Sequence, residues 1–169
     1  MHPTLRKMLY LALIFFVIFV ALQPYNYFCN YSNKCQGIYL SELFPSPEGE
    51  TQISAIMEIK NLRNDIIFET EEPKIIYTVS GKKNIANYRI ENNSDKTIRF
   101  RPEFYVEPKE FKKYVIRREC LCFREYKLRR GEVILVHSSF KIDPAIEKDP
   151  IFIRDKPNIR IGYLAKKTD

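Results

Sequence analysis

Apolar residues fall along this chain in two patterns. From Met8 to Leu22 (MLYLALIFFVIFVAL) they run unbroken, whereas from Thr51 onward they alternate with polar ones. The unbroken block covers only about 22 Å at helical rise, against a hydrocarbon core of about 30 Å. Its flanks extend it: Arg6 and Lys7 can reach outward at one end, and Tyr25, Tyr27 and Phe28 form an aromatic belt at the other. The pattern predicts a membrane anchor over residues 8–28 behind a tail of residues 1–7. A cleavable signal peptide is the competing reading, but cutting after Ala21 would put Phe19 where a small residue is needed. Basic residues precede the block, while the segment just after it carries Lys34 against Glu42, Glu48 and Glu50. That asymmetry predicts a cytoplasmic N-terminus and a C-terminal portion across the membrane. A bacterial cell inner membrane, with the bulk of the chain in the periplasm, fits this arrangement.

Residues 29–50 hold turn formers (Asn30, Ser32, Asn33, Gly37, Pro45, Pro47) and read as a juxtamembrane linker, which Pro24 and Asn26 already announce. Beyond it the period is two. Ile53, Ala55, Met57 and Ile59 alternate with polar residues, and Ile98, Phe100, Pro102, Phe104 and Val106 do the same over residues 97–106. Shorter runs at 74–80, 85–91, 120–128, 132–142 and 158–164 bring the expected number of strands to about seven. Asn92-Asn93-Ser94-Asp95 and Arg129-Arg130-Gly131 favour reversal and predict hairpins. Only Pro108 to Tyr114 looks helical. Residues 51–169 are therefore expected to form an all-β domain, an immunoglobulin-like antiparallel β-sandwich.

Composition narrows the function. The 169 residues include 5 Gly, 10 Pro and 4 Cys, which excludes collagen-like, disordered and disulfide-dense classes. Phosphate-binding glycine loops, the G-x-S-x-G elbow and H-E-x-x-H are absent from the sequence, which removes the common motif-bearing enzymes. The formal charge of +7 suits anionic lipid headgroups or an acidic partner better than nucleic acid in an exported domain.

The chemistry lies with the cysteines. On an extended strand Cys120 and Cys122 would point to one face with Cα atoms about 6.6 Å apart, so a disulfide between them is expected to be strained. Two parallel thiols suit a soft cation, and Cu(I) tolerates so few ligands. Ordinary buried thiols are the bland alternative. Nine basic residues between Lys109 and Arg130 would offset the negative charge of a bis-thiolate centre, although most are expected to be a solvated face. His137 could approach, but alternation groups it with Val133 and Leu135 as a half-buried structural imidazole. Met57 belongs to an apolar stripe, and His2 to the tail. Cys29 and Cys35 permit a small disulfide loop; alternatively Cys29 is a third copper ligand or a relay thiol.

The segment ECLCFREYKLRRGEVILVHSSFKIDP, Glu119 to Pro144, resembles the signature of the CtaG-type cytochrome c oxidase assembly proteins, in which a cysteine pair on a strand precedes a glycine turn and a strand ending in Asp-Pro. YRIENNSDKTIRFRPEFYVEPKEFKKY and Pro24-Tyr25-Asn26-Tyr27-Phe28-Cys29 resemble further stretches of the same family, in the same order. The resemblance implies a periplasmic immunoglobulin-like copper chaperone, not an enzyme. It would bind Cu(I) through Cys120 and Cys122 and deliver it to the Cu-B centre of cytochrome c oxidase subunit I, with Cys29 as a juxtamembrane thiol needed for activity. The partners expected are that subunit, an unidentified copper donor, the lipid bilayer and a second copy of the chain, since two sites facing across a homodimer would shield the metal. One rival reading is a membrane-tethered interaction module with structural cysteines. The other is a thiol oxidoreductase, which would lack the usual C-x-x-C at a helix start.

Overall fold

In the computed structural model, residues 3–32 and 48–166 are described. The first element, α1 (Pro3–Ser32), is a single helix. Its stretch Arg6–Cys29 is long and apolar enough to cross a membrane, with a mean hydropathy of 2.2. The helix outruns the expected anchor, passing through Pro24 and taking in Cys29. Pro24 removes a single N–H from the ladder, and the turn preferences of Asn26 and Asn30 are weak against propagation of a helix already nucleated. Most of the expected linker, residues 33–47, lies outside the described residues.

The strands are β1 (Gln52–Asn61), β2 (Ile66–Thr70), β3 (Ile75–Val79), β4 (Asn84–Asn92), β5 (Ile98–Phe100), β6 (Glu103–Glu107), β7 (Val115–Glu119), β8 (Tyr126–Leu128), β9 (Val133–Ile142) and β10 (Ile159–Ala165). A short helix, α2 (Pro150–Asp155), precedes the last strand. Two four-stranded sheets result, β3-β1-β10-β6 and β2-β4-β9-β7, with β5 and β8 forming a two-stranded ribbon. Alternation explains which residues lie inside: Ile53, Ala55 and Met57 of β1 and Ile159, Ile161 and Tyr163 of β10 are buried with Phe68, Ala86, Tyr88, Ile90 and Phe140 of the other sheet in one core. Rings from the two sheets meet there, Tyr88 and Tyr163 edge to face at 5.4 Å between centroids.

The all-β expectation is met, but the sheets are not purely antiparallel. β1 and β10 pair in parallel, Ala55 opposite Ile159 through Asn61 opposite Ala165. The run 97–106 is two strands, because Pro102 has no N–H to donate and so ends β5; β5 joins the ribbon and β6 the first sheet. Neither expected hairpin forms. The turns after Asn92 and after Leu128 carry the chain between sheets, since β5 pairs with β8, and β4 with β2 and β9. The two turns dock on one another: Gly131, at φ +68, donates its N–H to the Asn92 carbonyl. The buried Asn92 amide in turn donates to the carbonyls of Lys96, Leu128 and Arg129 at 2.7, 3.1 and 2.9 Å.

Gly162 shows why β10 needs a glycine at its centre. It lies opposite Glu58 of β1 and Tyr105 of β6, whose side chains bond over it, Tyr105 donating to the Glu58 carboxylate at 2.9 Å. A Cβ at Gly162 would overlap the Glu58 carbonyl oxygen and press on the Tyr105 hydroxyl.

Candidate metal centre

β7 carries the chain to the cysteines, and it is bulged. Arg117 stands opposite Phe140 and Glu119 opposite Ser139, so Arg118 is an extra residue without an opposite number on β9. The bulge resets the alternation. Arg117 turns inward and is 3% exposed, while Glu119 turns outward. Cys120 then continues in extended conformation and caps a 3-10 turn, Leu121–Phe123, closed by the Phe123 N–H on the Cys120 carbonyl at 3.1 Å.

That turn overturns two expectations. Cys120 and Cys122 do not lie on an extended strand; the 3-10 rise brings their Cα atoms to 5.1 Å, and the two sulfurs are joined in a disulfide. An i, i+2 pair too distant on a strand becomes bondable once the backbone between its members is coiled. The pair is also enclosed. Cys120 is 6% and Cys122 1% exposed, and Leu121 between them is buried in the core.

Each sulfur has its own donor. Arg117 Nη1 approaches Cys122 Sγ at 3.7 Å, and the Tyr163 hydroxyl approaches Cys120 Sγ at 3.6 Å while accepting the Leu121 N–H at 3.4 Å. The Cys122 N–H also points at Cys120 Sγ, at 3.3 Å. Burial pushes the Tyr163 phenol well above its ordinary range, so it is a donor at any physiological pH. The Arg117 guanidinium lies over the rings of Phe104 and Phe123, 5.1 and 5.7 Å from their centroids. Its Nη2 donates to the Cys29 carbonyl at 3.4 Å.

Arg117 thus links the turn to the end of the apolar helix. Cys29 is fully buried there and is itself disulfide-bonded; Cys35 lies outside the described residues. In this oxidised form Cys29, Cys120 and Cys122 offer no thiolate, and among the described residues no group of three or more His, Cys, Asp or Glu could hold a metal ion. Opened by reduction, the donor set would be two sulfurs one residue apart, which fits a two-coordinate soft ion and not a closed tetrahedral site.

Cys120 borders a recess of about 420 Å³ lined by Arg118, Glu119, Leu121, Phe123, Arg124 and His137. His137 shares the exposed face of β9 with Val133 and Leu135, as alternation predicts, but it is exposed and not half-buried. Its Nε2 faces the Glu119 carboxylate. Met57 is core, as expected, and His2 is outside the described residues. Sequence reasoning missed Arg117 and Tyr163. Arg117 was one of nine basic residues, and only its parity with buried Val115 distinguishes it from Arg118; Tyr163 read as one more strand aromatic.

Comparison with known proteins gives a consistent result. The family model described as cytochrome c oxidase assembly protein CtaG/Cox11 matches residues 25–165. The chain is 36% identical over 88 residues to the mitochondrial cytochrome c oxidase assembly protein COX11 of Saccharomyces cerevisiae, a match covering 52% of this chain and 29% of that protein. It is 35% identical over 88 residues to the cytochrome c oxidase assembly protein ctaG of Reclinomonas americana, covering 52% and 48%. With CtaG of Ehrlichia ruminantium the identity is 25% over 136 residues, covering 79% of this chain and 76% of the relative. The matched part thus spans less than a third of the yeast protein. The profile match takes in the end of the helix, both sheets and the cysteine turn between them, and the chain belongs to the cytochrome c oxidase assembly protein CtaG/Cox11 family.

Proposed function

We propose that this chain is a membrane-anchored copper chaperone that carries Cu(I) on Cys120 and Cys122 and delivers it to the Cu-B centre of cytochrome c oxidase subunit I. The names of its relatives support the oxidase. The observation that carries the copper reading is the pairing of two sulfurs one residue apart in a turn, each facing a buried donor and one of them bordering an open recess. In this reading residues 1–7 are cytoplasmic, residues 8–28 of the helix cross a bacterial inner membrane, and the chain beyond them, with an immunoglobulin-like sandwich from residue 51 onward, is periplasmic. Cys29, once its own disulfide is reduced in the same way, serves as a third thiol at the membrane end of the site.

The disulfide has to open first. A thiolate of a dithiol reductant attacks one sulfur of the pair and expels the other as thiolate. The reductant's second thiol then resolves the mixed disulfide, so that the pair gains two electrons and two protons and the reductant leaves oxidised. Cu(I) displaces both protons and bridges two thiolates. The bound centre carries one net negative charge. Transfer follows by ligand exchange from the side of the recess, with a second copy of the chain shielding the ion until the acceptor arrives.

The test is copper uptake by the full chain in detergent. Reduced wild type is expected to bind about one Cu(I), and both the unreduced chain and a Cys120→Ser, Cys122→Ser double variant to bind none. Equal uptake by variant and wild type would end the chaperone reading. It would favour the one rival that the closed disulfide supports, a purely structural cystine.

A further inference from the structure

The sulfur turn is held from two sides, and the character of the two holding groups bears on which state of the cysteines the scaffold is built for. Arg117 comes from β7 in one sheet and Tyr163 from β10 in the other. Both are buried, at 3% and 2% exposure, and they reach different sulfurs, Cys122 at 3.7 Å and Cys120 at 3.6 Å. The Tyr163 hydroxyl accepts the Leu121 N–H and keeps its own proton to donate, with Ser138 as a further hydrogen-bond partner.

A neutral disulfide gains little from such donors, since its sulfurs are weak acceptors. Two thiolates bridged by a monovalent cation carry one net negative charge, and the same donors then make charge-assisted hydrogen bonds to it. The polar groups around the turn suit that anionic centre better than the cystine they now face.

Resting on the copper reading above, we infer that Arg117 and Tyr163 are positioning residues for the cargo ion: they fix the two sulfurs from opposite sheets and balance the negative charge of the loaded centre. Both sit on strands and not on loops, so the spacing of the sulfurs is set by the sandwich itself. Arg117 has a second task, because its other nitrogen holds the carbonyl of Cys29. The ion is thereby brought into register with the end of the apolar helix.

The experiment titrates Cu(I) from the reduced full chain in detergent with a chromophoric Cu(I) chelator. Wild type is compared with Tyr163→Phe, Arg117→Lys and Arg117→Gln, and the sulfur-to-copper charge-transfer band is recorded for each. Tyr163→Phe and Arg117→Gln should each lower Cu(I) affinity by about tenfold, the size expected for one charge-assisted bond, and shift the band. Arg117→Lys, which keeps the charge, should recover most of the affinity. Denaturant unfolding of the metal-free oxidised forms runs alongside. Variants that lose stability but bind Cu(I) as tightly as wild type, with an unshifted band, would make both residues purely structural and overturn the inference. A wild type that takes up no Cu(I) would instead overturn the chaperone reading itself.

Discussion

Nε2 of His137 lies 3.6 Å from the Glu119 carboxylate, the two side chains meeting across β7 and β9 on the outer face of the domain. The pair exists because the bulge at Arg118 turns Glu119 outward; in a regular strand it would share the inward face with Arg117. His137 borders the recess beside Cys120, yet its partner is a carboxylate and not a sulfur.

A His137→Ala chain should therefore bind the same amount of Cu(I) as wild type when reduced. Copper analysis of the loaded, desalted protein checks this. A fall in stoichiometry would make the imidazole a third ligand.

Asn92 is a stability determinant of a different kind. Its side chain serves three carbonyls and also accepts from the Ser94 N–H at 2.9 Å, joining the two turns that pass the chain between sheets. Asn92→Ala removes these bonds from a buried side chain, at a total cost of about 1–3 kcal/mol. Urea unfolding should show a clearly lower midpoint at unchanged m-value, whereas a variant as stable as wild type would mean that the turns hold through their backbone bonds alone.

Asp149 should shape the acid limb of stability. Its carboxyl is held below the usual carboxylate range first by the Tyr114 hydroxyl, then by the Ile151 and Phe152 N–H groups and by Lys113, with the phenolic bond at 2.8 Å. A carboxyl depressed in the folded state stabilises it fully above the unfolded pKa, and that contribution is lost as pH falls through the folded value. Thermal unfolding followed from neutral pH down through the carboxylate range should show the wild type losing stability more steeply than Asp149→Asn. Parallel curves would deny the carboxylate this role.

Much of the architecture could be read in advance wherever one rule governed a whole element. The unbroken apolar block specified α1, and strict alternation specified β4 and the first half of β1, because there the buried face repeats every second residue. Reading by parity broke down at single residues that change the backbone. Pro102 ends a strand inside a run whose alternation continues past it. Arg118 adds a bulge that exchanges the two faces of β7, and three residues of 3-10 turn then carry Cys122 back over Cys120. The cysteines were legible as the chemical centre, since two sulfurs one residue apart are unusual in any conformation. Their bonding was not, because it depends on the rise per residue between them, which side-chain type does not encode. Arg117 and Tyr163 stayed hidden for a related reason: each acquires its role from a neighbour in the other sheet, far away along the chain.

The contact between Arg117 and the Cys29 carbonyl ties the sulfur turn to the mouth of the apolar helix. With that helix in a bilayer, the turn travels at constant height over the lipid surface. On the delivery role proposed above, its meeting with an acceptor in the same bilayer becomes a lateral search, whose pace is governed by crowding and lipid fluidity and not by concentration in the surrounding volume.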